Sequence, residues 1–334
     1  MSAGVPAVEP VPREGITDGA LRYVRREPWI LALGALLAVL LVVTKLINPN
    51  YGSFGLSSLA IAALPVALAA AAQAVAVISG GIDLSVGSIM ALTSVTAARL
   101  MEGGSEESAV VVVIGVLVMG TLIGVVNGVL VVVSRVPDIV VTLATSYVWA
   151  GAALLVLDTP GGAAANWLKE LSRGDVLTEW IPRSLVLLLV AVALVWVPLR
   201  RSRLGLSLYA VGSDRLAAFR IGVAVGRTRI AAYAITGLFA GAGGIALTMT
   251  TGIGSPIPGP YLLLSVAAIV LGGVSLAGGQ GSMVGPILAV FILALIRADL
   301  TFLGIDPNFS TVIQGVIMVA VVMIGAYLTL RRSR

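Results

Sequence analysis

Ten apolar runs divide almost the whole chain, and each is close to the ~20 residues a helix needs to cross ~30 Å of hydrocarbon. They read Trp29–Ile47, Leu56–Ile78, Leu84–Leu100, Ala109–Val133, Ile139–Leu157, Ser184–Leu199, Ile230–Thr250, Tyr261–Leu276, Met283–Phe302 and Thr311–Leu330. No compact soluble core could hide this much apolar side chain. Of 334 residues, 58% are hydrophobic and 11% charged, against roughly 25% charged in soluble domains. The expected fold is therefore an all-α integral membrane protein of about ten transmembrane helices, with lipid as its solvent. The third and eighth runs are short, so each is expected to be tilted, broken or partly re-entrant.

Composition narrows the chemistry. Cysteine and histidine are both absent. This removes disulfides, thiolate or imidazole metal sites, and every catalytic triad that needs either group. The two lysines, Lys45 and Lys169, do not close a phosphate-binding loop, so the chain has no such loop with which to hydrolyse ATP. The net charge of +5 is explained by membrane topology rather than by nucleic acid. Arg13, Arg22, Arg25 and Arg26 precede the first run, Arg135 follows the fourth, and seven arginines from Arg200 to Arg229 separate the sixth from the seventh. Arg331, Arg332 and Arg334 end the chain. Strict alternation puts all of them on one side, which the positive-inside rule makes cytoplasmic. The opposite loops carry Glu102, Glu106, Glu107, Asp158, Glu170, Asp175, Glu179 and Asp306. Both termini are thus expected in the cytoplasm. Residues 1–27 read as a retained cytoplasmic tail rather than a signal peptide, 28–330 as the membrane domain, and 331–334 as a cytoplasmic end.

Ser79–Gly87, SGGIDLSVG, interrupts apolar helix with two adjacent glycines, a carboxylate and two serines. A bilayer tolerates such a break only where protein or a water-filled cavity shields the backbone. Asp83 has three readings: cap of the following helix, brace of the broken backbone against a neighbour, or solute contact with Ser79 and Ser85 as hydroxyl partners. Gln73, Asn127, Thr142, Thr145, Thr236 and Gln314 are polar residues inside runs, expected mostly as interhelical hydrogen bonders. Gln73, Ser79, Gly80, Gly81, Asp83, Ser85, Asn127 and Thr142 form the candidate path or gate set. Arg297 and Asp299 are expected to play a structural part near a membrane surface.

The segment 200–229 reads as the largest cytoplasmic loop between runs. Ser213 and Asp214 can cap a short helix, Arg215-Leu216-Ala217-Ala218-Phe219-Arg220-Ile221, which Gly222 would stop. Leu216, Phe219 and Arg220 then share one face, suited to a groove on a partner. The stretch GGVSLAGGQGS from Gly272 has no following lysine and reads as tight packing or a turn. A weak internal repeat pairs Gly81–Ile82 with Gly252–Ile253, and Val136–Pro137 with Asp306–Pro307, at nearly equal spacing. This is the spacing of an inverted repeat of spans 2–5 and 7–10, although Gly and Pro gather at span ends in any case.

SGGIDLSVGSIMAL, NGVLVVVSRVPDIVVTLATSYVWAGAALLV, SRLGLSLYAVGSDRLAAFRIGV and GGVSLAGGQGSMVGPILAV, in that order, resemble the inner-membrane permease subunits of ribose- and xylose-type ATP-binding-cassette importers. The likeness runs from the second span to the end. It implies a second permease copy or paralogue, separate cassette ATPase subunits that hold ATP and Mg, and an extracytoplasmic solute-binding protein. It further implies a sugar-like solute (a pentose, hexose or related polyol), no cofactor in this chain and no enzymatic activity of its own. Related branches carry nucleosides, a quorum-signal sugar or branched-chain amino acids. The segment from Gly212 to Gly222 would be the coupling helix that meets the ATPase. Asp138, after Val136–Pro137, stands where such permeases often have an aromatic. The rival classes are an ion-coupled secondary transporter, for which only Asp83 is a candidate ion-coupling carboxylate, and a membrane scaffold.

Overall fold

A computed structural model describes residues 28–323, except 258, 307, 314, 317, 318, 321 and 322. The expected tails 1–27 and 331–334, Gln314, Pro307 and much of the tenth run lie outside the described residues. Twelve helices can be bounded: α1 Pro28–Ile47, α2 Ser53–Ile78, α3 Val86–Met101, α4 Ser108–Ser134, α5 Asp138–Val156, α6 Asn166–Ser172, α7 Arg183–Arg201, α8 Arg203–Ser213, α9 Arg215–Arg220, α10 Val225–Thr251, α11 Tyr261–Leu271 and α12 Val284–Phe302. The described residues between 308 and 323 are helical as well. Among the described residues, seven helices (α1, α2, α4, α5, α7, α10 and α12) are long and apolar enough to cross a membrane, and α3 and α11 are shorter apolar helices. No strand forms among them beyond two isolated bridges.

The centre is set by residue size. From Leu59 to Ile78, α2 is almost entirely buried and rich in alanine, so neighbours approach it from every side. It packs against α10, α11, α12 and α7. α10 in turn crosses α4 through glycines. A methyl group at Gly120 would meet Gly237 O at 2.6 Å, and one at Gly128 would meet Ile230 Cα at 2.9 Å. Small residues spaced four apart allow this backbone-to-backbone packing where lipid supplies no hydrophobic drive between helices. Hydroxyls stitch the same core: Ser94 Oγ lies 2.8 Å from Thr248 Oγ1, and Thr236 Oγ1 donates to Ala72 O at 3.2 Å. The outer surfaces of α1, α4, α5 and α7 expose valine, leucine and isoleucine. That is the face a lipid-solvated protein presents.

The interval 200–229 departs from the expected loop. Most of it is helix. Ser202 caps α8, its Oγ accepting from Gly205 N at 3.1 Å, and the chain then turns directly into α9. α6 is also unexpected. Its first amides, Asn166 N and Trp167 N, bond to the carboxylate of Glu106, so the helix is capped by a side chain 60 residues away.

Candidate functional site

α2 ends at Ile78, and the next seven residues carry the chain to α3 without a regular helix. Gly80 adopts a left-handed φ of +79°. Asp83 is fully buried and does not cap α3 in the strict sense. Its Oδ1 accepts from Ser85 N at 2.8 Å and from Ser85 Oγ at 2.6 Å, closing a local turn before the helix begins. Ser85 Oγ accepts from Asn127 Nδ2 of α4 at 2.7 Å, and Asn127 Oδ1 accepts from Trp149 Nε1 of α5 at 3.2 Å. From the other flank, Thr142 Oγ1 of α5 accepts from Leu84 N at 3.1 Å and lies 3.1 Å from Ile82 O. Asp83, Ser85 and Asn127 therefore form one hydrogen-bonded chain on the α4 side of the break, and Thr142 holds its backbone from α5. All four are wholly buried.

The other candidate residues fall elsewhere. Ser79 does not partner Asp83; its hydroxyl turns back to donate to Ala76 O, in the last turn of α2, at 2.8 Å. Gln73 is buried in α2, and no described residue partners either amide atom, nor Asp83 Oδ2. Gly81 is packed so closely that a methyl group there would meet Asp138 Oδ2 at 2.6 Å and Tyr233 Oη at 2.8 Å.

Those contacts lead to a cluster that the sequence did not single out. Asp138 opens α5 and is nearly buried. Arg229 Nη2 bonds to its Oδ1 at 2.5 Å, Tyr233 Oη donates to its Oδ2 at 3.0 Å, and Arg215 Nη2 lies 3.8 Å from Oδ2. Arg215 Nη2 also donates to Gly80 O at 2.7 Å. A cavity of about 620 Å³ opens beside this group, lined by Gly80, Ile82, Arg135, Asp138, Arg215 and Arg229 among others.

α9 follows from its local chemistry. Asp214, rather than Ser213, is its cap: Oδ1 accepts from Leu216 N at 2.8 Å and Ala217 N at 3.0 Å. Ser213 is the last residue of α8. The helix stops at Gly222, whose φ is +87°, and Val223 N returns to Ala218 O at 3.0 Å. Ala218 faces inward, whereas Leu216, Phe219 and Ile221 are 58%, 68% and 77% exposed. Behind α9, Gly212 is wedged against Ile78 O and Gly279 N with room for hydrogen only. Gly278, at φ +88°, sits against Gly80 and Gly212, and Gly279 N donates to Ile78 O at 3.0 Å. The second glycine-rich stretch is thus a three-way backbone junction joining the break, the start of the 212–222 segment and the turn before α12.

A second cavity, about 550 Å³, lies at the opposite end of α2. Its wall includes Asn48, Tyr51, Phe54, Ser58, Arg297 and Thr301. Arg297 faces this space.

Residues 55–322 match the family of branched-chain amino acid transport system permease components. The chain belongs to this permease family. It is also 28% identical to the autoinducer 2 import system permease protein LsrD of Escherichia coli (strain K12), over 92% of this chain and 95% of that protein. The Shigella flexneri LsrD matches at the same identity and coverage, and the Escherichia coli O157:H7 protein at 27% over the same spans. No solved structure matches. The permease assignment agrees with the resemblance carried by the GGIDLSVG region, and it makes this chain a transporter component.

Proposed function

We propose that this chain is the membrane-spanning subunit of an ATP-binding-cassette importer and moves a small sugar-like solute inward by alternating access. The observation that carries this reading is α9: a capped, six-residue helix with Phe219 exposed, attached by Arg215 to a break inside the membrane domain. Such a helix suits a groove on a cassette ATPase, where an exposed aromatic acts as an anchor. Ten spans with both termini cytoplasmic account for the arginine distribution, and place α9 and the break on the cytoplasmic side. The acidic outer loops then face a solute-binding protein. A second permease copy or paralogue completes the pathway. Cavities at the two ends of α2, with its buried alanine-rich body between, fit a path that opens to one side at a time. ATP and Mg reside on the ATPase, and this chain contributes no catalytic group.

The solute class follows from the LsrD likeness, whose name specifies autoinducer 2, and from the sugar-permease motifs. The family description favours a second reading, a branched-chain amino acid. Ligand binding by the solute-binding protein encoded beside this chain separates the two. The coupling role is tested with Phe219→Glu in the purified complex. Expected is loss of ATPase co-purification, with affinity weakened by about 2 kcal/mol or more, while the permease still elutes as a folded species. Intact assembly and solute-stimulated hydrolysis in that variant refute the role. Uptake by Asp83→Asn that remains ATP-dependent excludes the ion-coupled rival; ATP-independent uptake by the chain alone refutes the importer reading.

A further inference from the structure

We infer that Arg215 is the positioning residue through which displacement of α9 reaches the membrane break. The inference rests on the reading of α9 as the ATPase-docking helix. Arg215 is the first residue of α9, and its guanidinium spans both flanks of the break: Nη2 donates to Gly80 O, just past the end of α2, and lies 3.8 Å from Asp138 Oδ2, at the head of α5. One turn into α5, Thr142 holds Leu84 N. A shift of Arg215 therefore acts on the Gly80 side directly and on the Ile82–Leu84 side through α5.

The geometry makes this contact releasable. Losing one partner of a buried ion pair usually strands a bare charge. Asp138 avoids this because Arg229, only 11% exposed at its side chain, and Tyr233 continue to hold its two oxygens after Arg215 leaves. The Arg215 side chain is 46% exposed and borders the 620 Å³ cavity, so it has space to swing and water to receive it. Arg229 is thus the fixed partner and Arg215 the moving one. Arg227, exposed in the first turn of α10, is outside the lining of this cavity and forms no ion pair among the described residues. No hydrogen bond or ion pair among the described residues joins it to Gly80 or Asp138, and it serves as the control position.

The test uses the whole importer (permease, its ATPase and its binding protein) reconstituted in liposomes, reading solute uptake and ATP hydrolysis together. Arg215→Gln is expected to leave assembly intact and hydrolysis near wild type, while uptake per ATP falls about tenfold, the scale on which residues along a coupling route act. Arg215→Lys, which keeps the charge but cannot span both acceptors, should recover part of that ratio. Arg227→Gln should leave it unchanged. Wild-type uptake per ATP in Arg215→Gln overturns the inference. Loss of ATPase binding in Arg215→Gln also overturns it, making Arg215 a docking residue while the role of α9 stands. Failure of the α9 reading itself is seen separately, in Phe219→Glu.

Discussion

After α2 the chain breaks at Gly80, and after α10 it breaks at Gly252; both glycines are left-handed, at φ +79° and +85°, and each break leads to one of the two short apolar helices, α3 and α11. The two are held in different ways. The first is fastened by side chains from two neighbouring helices, with Asp83, Ser85, Asn127 and Thr142 all buried. The second is fastened mainly by backbone, with one local side-chain bond from Thr251 Oγ1 to Ile253 O at 2.8 Å. Gly254 and Gly161 exchange two amide bonds, of 2.8 and 3.0 Å, Ala164 N donates to Gly252 O, and Thr251 and Ile253 stay exposed. A braced break depends on the chemistry of a few side chains. A backbone-paired one depends mostly on close approach, so it tolerates more at positions where nothing crowds the chain.

The widest difference should appear at the glycine junction behind the first break. Gly212→Val places a branched side chain against backbone on two sides. Expected is loss of uptake and a destabilisation of about 3 kcal/mol or more, read from thermal unfolding in detergent. Next is Asn127→Ala, which removes both the donor to Ser85 and the acceptor for Trp149; leaving those buried groups unpaired should cost about 1–3 kcal/mol. Thr142→Val keeps the shape but strands Leu84 N, for about 1 kcal/mol, with uptake reduced more than stability. The smallest effect belongs to the other break. Gly161→Ala meets nothing nearer than Thr159 O at 3.8 Å, and stability should stay within about 0.5 kcal/mol of wild type. A larger loss at Gly161 than at Asn127 would reverse the comparison.

Much of this architecture was visible as local pattern. Apolar length located the helices that bound the break, and the brevity of the third and eighth runs anticipated α3 and α11. Asp214 and Gly222 delimited α9 because capping is decided within a few residues. What stayed hidden depends on distance along the chain. Asp138 reads as an oddity after a proline until Arg229 and Tyr233, more than 90 residues later, close on it. The remote cap of α6 by Glu106 is invisible for the same reason. α8 was missed despite a local signal, Ser202 ahead of a helical run, because a basic stretch between spans reads first as solvent-exposed loop. In the candidate site, adjacency suggested Ser79 and Ser85 as hydroxyl partners of Asp83; the folded chain uses Ser85 alone, and Asn127 joins from another helix through the Ser85 hydroxyl.

Where Gly80, Gly212 and Gly278 meet, three main chains touch with only hydrogen atoms between them. Side chains elsewhere can change rotamer and absorb a small push. Bare peptide planes have no such slack, so the joint can roll or slide but cannot be squeezed. A nudge delivered at one strand of this contact reappears at the other two almost undiminished, as in a dry bearing.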